Sequence, residues 1–259
     1  MLRIAVLSDI HGNTIALDAV LADIEARGGA DSFWVLGDFS AIGYDPVTPI
    51  QRVMALPKPC FVRGNTDRFL YNGQRPPPTR EDVLKDPAKL EQFAEVAASF
   101  AWSQGALSAL GRLGWLANLP LEQRLTLPDG TRLLGVHASP GRDDGAGINP
   151  VQSEADLRGI LSGCQADLVL VGHTHVPLDV TVDGIRAVNL GSVSNPVGED
   201  LRAKYVTIEA DKTGYELRAR QVAYDTEAVV AAIRASYHPT ADFLIKWIRG
   251  QVKHKLTRR

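Results

Sequence analysis

The chain has 259 residues, 45% hydrophobic and 22% charged, with a formal net charge of −2. That length allows one large folded unit or two small ones, and the charge balance excludes a global basic field of the kind that announces nucleic acid. Its two cysteines, Cys60 and Cys164, are too few for a disulfide framework, and no apolar run is long enough to span a bilayer.

The first apolar run, Leu2–Leu7, shows no polar alternation and reads as a strand covered on both faces. It begins directly after Met1, which leaves no room for a signal peptide and implies a cytoplasmic protein. Residues 14–27 set Ile15, Leu17, Val20, Leu21 and Ile24 at helical spacing, with Asn13 as N-cap and Gly28-Gly29 as terminator. Residues 33–36 form a second strand closed by Gly37-Asp38, and a short helix over 47–56 is broken by Pro57 and Pro59. Residues 60–62 form a third strand, followed by Arg63-Gly64-Asn65-Thr66-Asp67. This alternation predicts a parallel core sheet with right-handed crossovers.

The stiff run Arg75-Pro76-Pro77-Pro78-Thr79 leads into a helical insertion over 80–119, expected either to pack on the domain or to form a lid over the site. A hairpin pairs 121–127 with 131–136, and a Gly-, Pro- and Asp-rich loop covers 138–150. A helix over 153–161 opens on Ser153 and Asp156, and a buried strand spans 167–171. A second hairpin pairs 178–182 with 185–190 around Asp183-Gly184. Strands over 203–209 and 215–221 and helices over 226–237 and 241–252 close the chain. No break in composition splits residues 1–259, which read as a single domain.

Five stretches share one form: an apolar run, a strand exit, then metal-competent side chains. They are Asp9-Ile10-His11, Gly37-Asp38, Gly64-Asn65-Thr66-Asp67, His137, and Gly172-His173-Thr174-His175. The glycines let the backbone turn sharply and approach closely. Asp9 and His11, two residues apart, can converge beyond the strand end, where the sites of open α/β sheets lie. Mixed imidazole and carboxylate donors suit Mn, Fe, Zn, Ni or Co. The set is too rich for one tetrahedral zinc, so two divalent metal ions sharing a carboxylate fit the count.

In this order the blocks resemble the calcineurin-like metallophosphoesterase superfamily, whose pattern is D-x-H, G-D, G-N-H-D/E, H and G-H-x-H. The resemblance runs from Leu2 past Gly191. Ser8-Asp9-Ile10-His11-Gly12-Asn13, Trp115-Leu116 and Asn189-Leu190-Gly191-Ser192-Val193 look most like its bacterial cytoplasmic phosphoesterase branch. It implies an α/β fold: a four-layer α/β/β/α sandwich of two mixed sheets with flanking helices. It also implies that Asp9, His11 and His175 hold one metal, that Asn65, His137 and His173 hold the other, and that Asp38 bridges them. A water or hydroxide between the ions would attack the phosphorus of a small phosphoester substrate, with manganese the ion most expected to support activity.

The sequence departs from the pattern at Thr66, where the family often places a histidine near the leaving group. Threonine is no general acid near neutral pH. Leaving-group protonation then falls to water or Asp67, or is dispensable, which favours diesters over alkyl monoesters. His11, Asp38, Asn65 and Asp67 are accordingly the candidate catalytic residues. Asp67 has two other readings: a partner that orients His137 or His173, or a cap of the following helix. A phosphomonoesterase acting on nucleotides or phosphoproteins is the alternative, and a non-catalytic metal-binding scaffold a further one. A dinuclear amide or lactam hydrolase is disfavoured, because His173-Thr174-His175 leads to Val176-Pro177 and not to an H-x-H-x-D-H run.

No membrane partner and no specific nucleic-acid binding are expected. Arg63, Arg68 and Arg142 lie near the site loops, with surface solvation their default and a phosphate contact the alternative. Ser192 is expected near the site rim and His238 in a turn. Lys246, Arg249, Lys253, Lys255, Arg258 and Arg259 make a basic C-terminus, read as helix-end charge and then a frayed tail that includes His254.

Overall fold

Strand β1 (Leu2–Leu7) divides its side chains by parity, sending Ile4 and Val6 into one core and Ala5 and Leu7 into another. Both faces are covered, which is why the run carries no polar alternation. Strands β2 (Ser32–Val35) and β3 (Pro59–Phe61) extend the sheet in parallel on one side. On the other side β9 (Ala203–Asp211) and β10 (Gly214–Val222) add antiparallel, giving the order β10-β9-β1-β2-β3. The second sheet has the order β4-β5-β6-β8-β7, from β4 (Glu122–Thr126), β5 (Arg132–Val136), β6 (Leu168–Val171), β7 (Leu178–Val182) and β8 (Ile185–Asn189). Its central three strands are parallel and its two edges antiparallel. This computed structural model describes residues 1–252 and 256–258; Lys253, His254, Lys255 and Arg259 of the basic C-terminus lie outside the described residues.

The two sheets meet over Ile4, Val6, Trp34, Leu170, Val206 and Ile208. They touch so closely at Gly135 that a Cβ there would come within 2.8 Å of the Trp34 ring. Helices α1 (Thr14–Ala26), α2 (Thr48–Met54) and α3 (Asn65–Asn72) cover the outer face of the first sheet, and α7 (Glu154–Leu161) covers the second. The result is the α/β/β/α sandwich of two mixed sheets that the sequence motifs imply. Asn13 caps α1 through its Oδ1, and Ser153 and Asp156 form the capping box of α7.

The insertion comprises α4 (Arg80–Lys85), a 3₁₀ turn, α5 (Leu90–Ala109) and α6 (Leu113–Ala117). It docks on α3, with the Phe69 and Phe100 rings edge-on at 6.0 Å and Gln104 donating to the Leu70 carbonyl at 2.7 Å. Helices α8 (Thr226–Ala235) and α9 (Ala241–Ile248) build a small core of their own against Ile15, Ile42 and Tyr44. α9 stops before the expected residue 252, because Gly250 turns the chain out at φ 66°. His238 is more than a turn residue: it is 4% exposed, packs on Trp102, lies 3.4 Å from Ser99 Oγ, and accepts the Thr240 N–H. It thereby fastens the α8–α9 turn to α5. Among the described residues no helix is long and apolar enough to cross a membrane.

Candidate metal centre

Asp9 and His11 leave the end of β1, Asp38 follows β2, His137 follows β5, and His173 and His175 follow β6, while Asn65 opens α3. Backbone bonds knit these exits together: Asp9 N–H donates to Gly37 O, His11 N–H to Asp38 O, and Gly172 N–H to His137 O. Asp9, His11, Asp38, His173 and His175 all lie at positive φ, between 46° and 67°. Non-glycine residues in that region cost about 1–3 kcal/mol each and persist only where the surroundings hold them. Two glycines make room for the carboxylates. A Cβ on Gly64 would stand 2.0 Å from Asp38 Oδ1, and one on Gly172 2.3 Å from Asp9 Oδ2.

The backbone also orients the imidazoles. Nδ1–H of His11, His137 and His175 donates to the carbonyls of Ala41, Leu36 and Asn195 at 2.8, 2.6 and 2.7 Å. Their Nε2 lone pairs are thereby turned inward. His173 is reversed: Nε2–H donates to Gly145 O at 2.9 Å and Nδ1 faces Asn65. Lone pairs therefore meet lone pairs. His11 Nε2 and His175 Nε2 are 3.2 Å apart, and Asn65 Oδ1 lies 3.1 Å from both His137 Nε2 and His173 Nδ1. Buried Asp9 Oδ1 lies 3.3 Å from His175 Nε2 and makes no hydrogen bond of acceptable geometry. Asp38 Oδ2 is 3.6 Å from His11 Nε2 and 3.5 Å from His137 Nε2. Acceptors packed this densely need cations or protons between them.

Asp9, His11 and His175 bring three donor atoms within 4.8 Å of one another, as do Asp9, Asp38 and His137. The protonation pattern points the same way. Burial opposes a charge on His137, yet Asp38 beside it pushes the imidazole up to about 10. Burial likewise works against Asp38, and His137 nonetheless holds it well below the usual carboxylate range. Against the same burial His175 is raised by Asp9, and Asp9 is lowered by His175. His11 and His173 are pushed down, chiefly by burial. The two buried carboxylates thus demand positive charge, and the donor set fits divalent cations.

Residues 2–213 match the calcineurin-like phosphoesterase superfamily domain. The chain belongs to that superfamily. An uncharacterised protein of Methanocaldococcus jannaschii is 26% identical over 241 residues, 86% of this chain and 88% of that one. A hypothetical protein from Pyrococcus horikoshii shares the fold at a TM-score of 0.79 and 21% identity, over 98% of this chain and 100% of that one. A metallophosphoesterase from Sphaerobacter thermophilus shares it at 0.72 and 24% identity, over 97% and 99%.

Against the superfamily pattern, Asp67 sits behind the site. It is fully buried, and Oδ2 accepts the N–H groups of Asp38 and Gly64, both at 2.8 Å, while Oδ1 accepts that of Phe39 at 3.1 Å. This geometry does not suit a proton donor facing the leaving group, and no hydrogen bond joins Asp67 to His137 or His173 among the described residues. The carboxylate instead ties the β2 exit to the start of α3, and so also serves as the expected cap. Burial and the Asp38 charge push it up to about 7. Thr66 lines the cleft, 4% exposed, with an Oγ1 that has no hydrogen-bond partner.

The cleft holds about 260 Å³, and its described lining contains no lysine or arginine. Arg63 and Arg68 are instead taken up by Asp143 at 2.8 and 3.0 Å, with Arg68 also 2.9 Å from Asp144. Arg142 is exposed and does not line the cleft. The loop after Ser192 lies close, as expected, with Ser194 N–H donating to Asp9 O. No residue of the 80–119 insertion lines the cleft; the walls that sequence reasoning missed include Ile42, Asp144, Trp247 and, from the tail expected to be frayed, Leu256 and Thr257, whose carbonyl accepts from Asn149 Nδ2 at 3.0 Å. Only spatial docking brings α9 here, and the sole sequence signal was a tryptophan on an amphipathic helix.

Proposed function

We propose that the chain hydrolyses phosphodiester bonds with two divalent metal ions, one held by Asp9, His11 and His175, the other by Asn65, His137 and His173, with Asp38 shared. The observation that carries this reading is the inward-facing cluster of imidazole, carboxylate and amide donors at five chain exits, its histidines aimed by backbone carbonyls and its carboxylates held at strained backbone positions. Bound cations supply Lewis acidity to phosphoryl oxygens and make an attacking water acidic. The chain's own part is positional. The carbonyls of Ala41, Leu36 and Asn195 hold the tautomers, and Asp67 holds the Asp38 turn.

Charge favours a diester over a monoester. A monoester dianion brings one more negative charge than a diester into a cleft whose described lining has no lysine or arginine. A threonine where the superfamily pattern often has histidine also suits a leaving group that needs no protein acid. The substrate is accordingly a small phosphodiester, the setting cytoplasmic, and residues 1–259 one domain with 80–119 as an insertion. With manganese added, a bis-aryl phosphate diester should be hydrolysed faster than the aryl monoester. The opposite order would turn the reading to a phosphomonoesterase. Full metal uptake with hydrolysis of neither would leave a scaffold and overturn the proposal.

A further inference from the structure

The two sides of the cleft differ in chemistry. On the His173 side the lining is Asp144, Gly145 and Ala146, with the Gly145 carbonyl already engaged by His173 and Thr257 of the tail bridged to Ala146 through Asn149; Leu256 also lines the cleft. On the His11 and His175 side it is Ile42 and Trp247. Trp247 comes from α9, beyond the segment 2–213 that matches the superfamily domain.

Its indole is fixed from two directions. Nε1–H donates to Asn195 O at 3.3 Å, the same carbonyl that receives His175 Nδ1–H at 2.7 Å. Phe243 packs edge-on against it, ring centroids 5.3 Å apart. The Trp247 and His175 ring centroids are 6.3 Å apart, so the indole flanks the donors directly. Anchoring α9 does not call for an aromatic here, because Leu244, Ile245 and Ile248 carry that packing. Trp247 itself is only half-buried and keeps surface in the cleft.

Ile42 supplies an independent sign. A β-branched residue at φ 65° is a true backbone outlier, and such strain clusters at ligand sites. The strained turn is held by Asn195 Nδ2, which donates to Ile42 O at 3.3 Å. Asn195 therefore joins Ile42, Trp247 and His175 in one rigid unit.

We infer that Trp247, backed by Ile42, receives an aromatic group of the substrate, so that the preferred phosphodiesters carry a flat aryl or nucleobase group on the His11–His175 side. The inference rests on the phosphoester reading of the cleft. Aromatic pairs gain stability beyond their buried area, which corresponds to about 2- to 12-fold in affinity. A saturated ring of equal bulk does not gain it.

The test is equilibrium binding to the metal-loaded protein, by calorimetry, of methylphenylphosphinate and cyclohexylmethylphosphinate, which carry the single negative charge of a diester. Neither has an ester bond to turn over, so the readout is independent of hydrolysis. Methylphenylphosphinate should bind about 5-fold tighter to the wild type. Trp247→Leu should bring the ratio close to one, and Trp247→Phe should keep most of it, with metal content equal in all three. A ratio near one in the wild type, or an undiminished ratio in Trp247→Leu, overturns the inference while leaving the phosphoester reading intact. Binding of neither phosphinate overturns both.

Discussion

Replacing Asp67 distinguishes a carboxylate that positions from one that gives a proton. In the fold it accepts three backbone N–H groups, from Asp38, Gly64 and Phe39, and it has no exposure. Each buried donor left without an acceptor costs about 1–3 kcal/mol. Asp67→Asn can keep its oxygen at the Oδ2 position and retain two of the three bonds, but its amide N–H then faces the Phe39 N–H. The expected loss is about 1–3 kcal/mol. Asp67→Ala strands all three donors and should lose about 3–9 kcal/mol, a large share of the about 5–15 kcal/mol a domain has. Urea denaturation, metal content and the pH–rate profile are measured together. Both variants should lose stability in that order, and Asp67→Ala should lose metal because the Asp38 turn loosens. The pH–rate profile of Asp67→Asn should keep its shape at lower amplitude. If Asp67→Asn instead unfolds like the wild type and keeps its metal, but one limb of the profile vanishes, the carboxyl is a proton donor and the clamp argument fails.

Asp38→Asn should lower metal content at both sites, since a shared ligand loses its charge, whereas His11→Ala should lower mainly one; equal retention in the two variants, by elemental analysis, would refute the bridging role. Thr66→His should raise alkyl monoester hydrolysis relative to diester hydrolysis, and an unchanged leaving-group dependence would remove the reason given for diester preference. His238 is held neutral because burial pushes it down to about 4, while an exposed imidazole titrates near 6.5. Below pH 6.5 the unfolded chain takes up a proton that the fold refuses, so this contribution is complete above about pH 6.5 and is lost as pH falls toward 4. A shift of that size is at most about 3 kcal/mol, and about half that after solvent screening. His238→Gln should flatten the pH dependence of the urea midpoint between pH 7 and 4.5 by that amount; a slope equal to the wild type's would show that the fold does not shift the titration of His238 and would refute this account.

The metal-competent residues were legible because each is a local feature: an apolar strand, a glycine and a donor type at the exit. The fold was legible for a related reason, since strands buried on both faces and helices between them leave few packings. What sequence could not carry was direction. Asp67 belongs to the same short run as Asn65, yet the start of α3 turns its carboxylate away from the cleft and onto the N–H groups of β2's exit. One residue step on a helix rotates a side chain by about 100°, so neighbours in sequence divide between site and support. His238 was illegible for another reason: its role depends on Ser99 and Trp102, far away in sequence on α5. Trp247 combines both. Its helical period marks an amphipathic helix, but only the docking of α8 and α9 against Ile42 and Tyr44 decides that the indole ends beside His175. The candidate metal donors are thus written into short strand exits, whereas the walls around them are set by long-range packing. Variation in α9 should therefore change which esters are accepted while leaving the donor cluster intact, and Trp247→Leu binding with unchanged metal content is where that separation is measured.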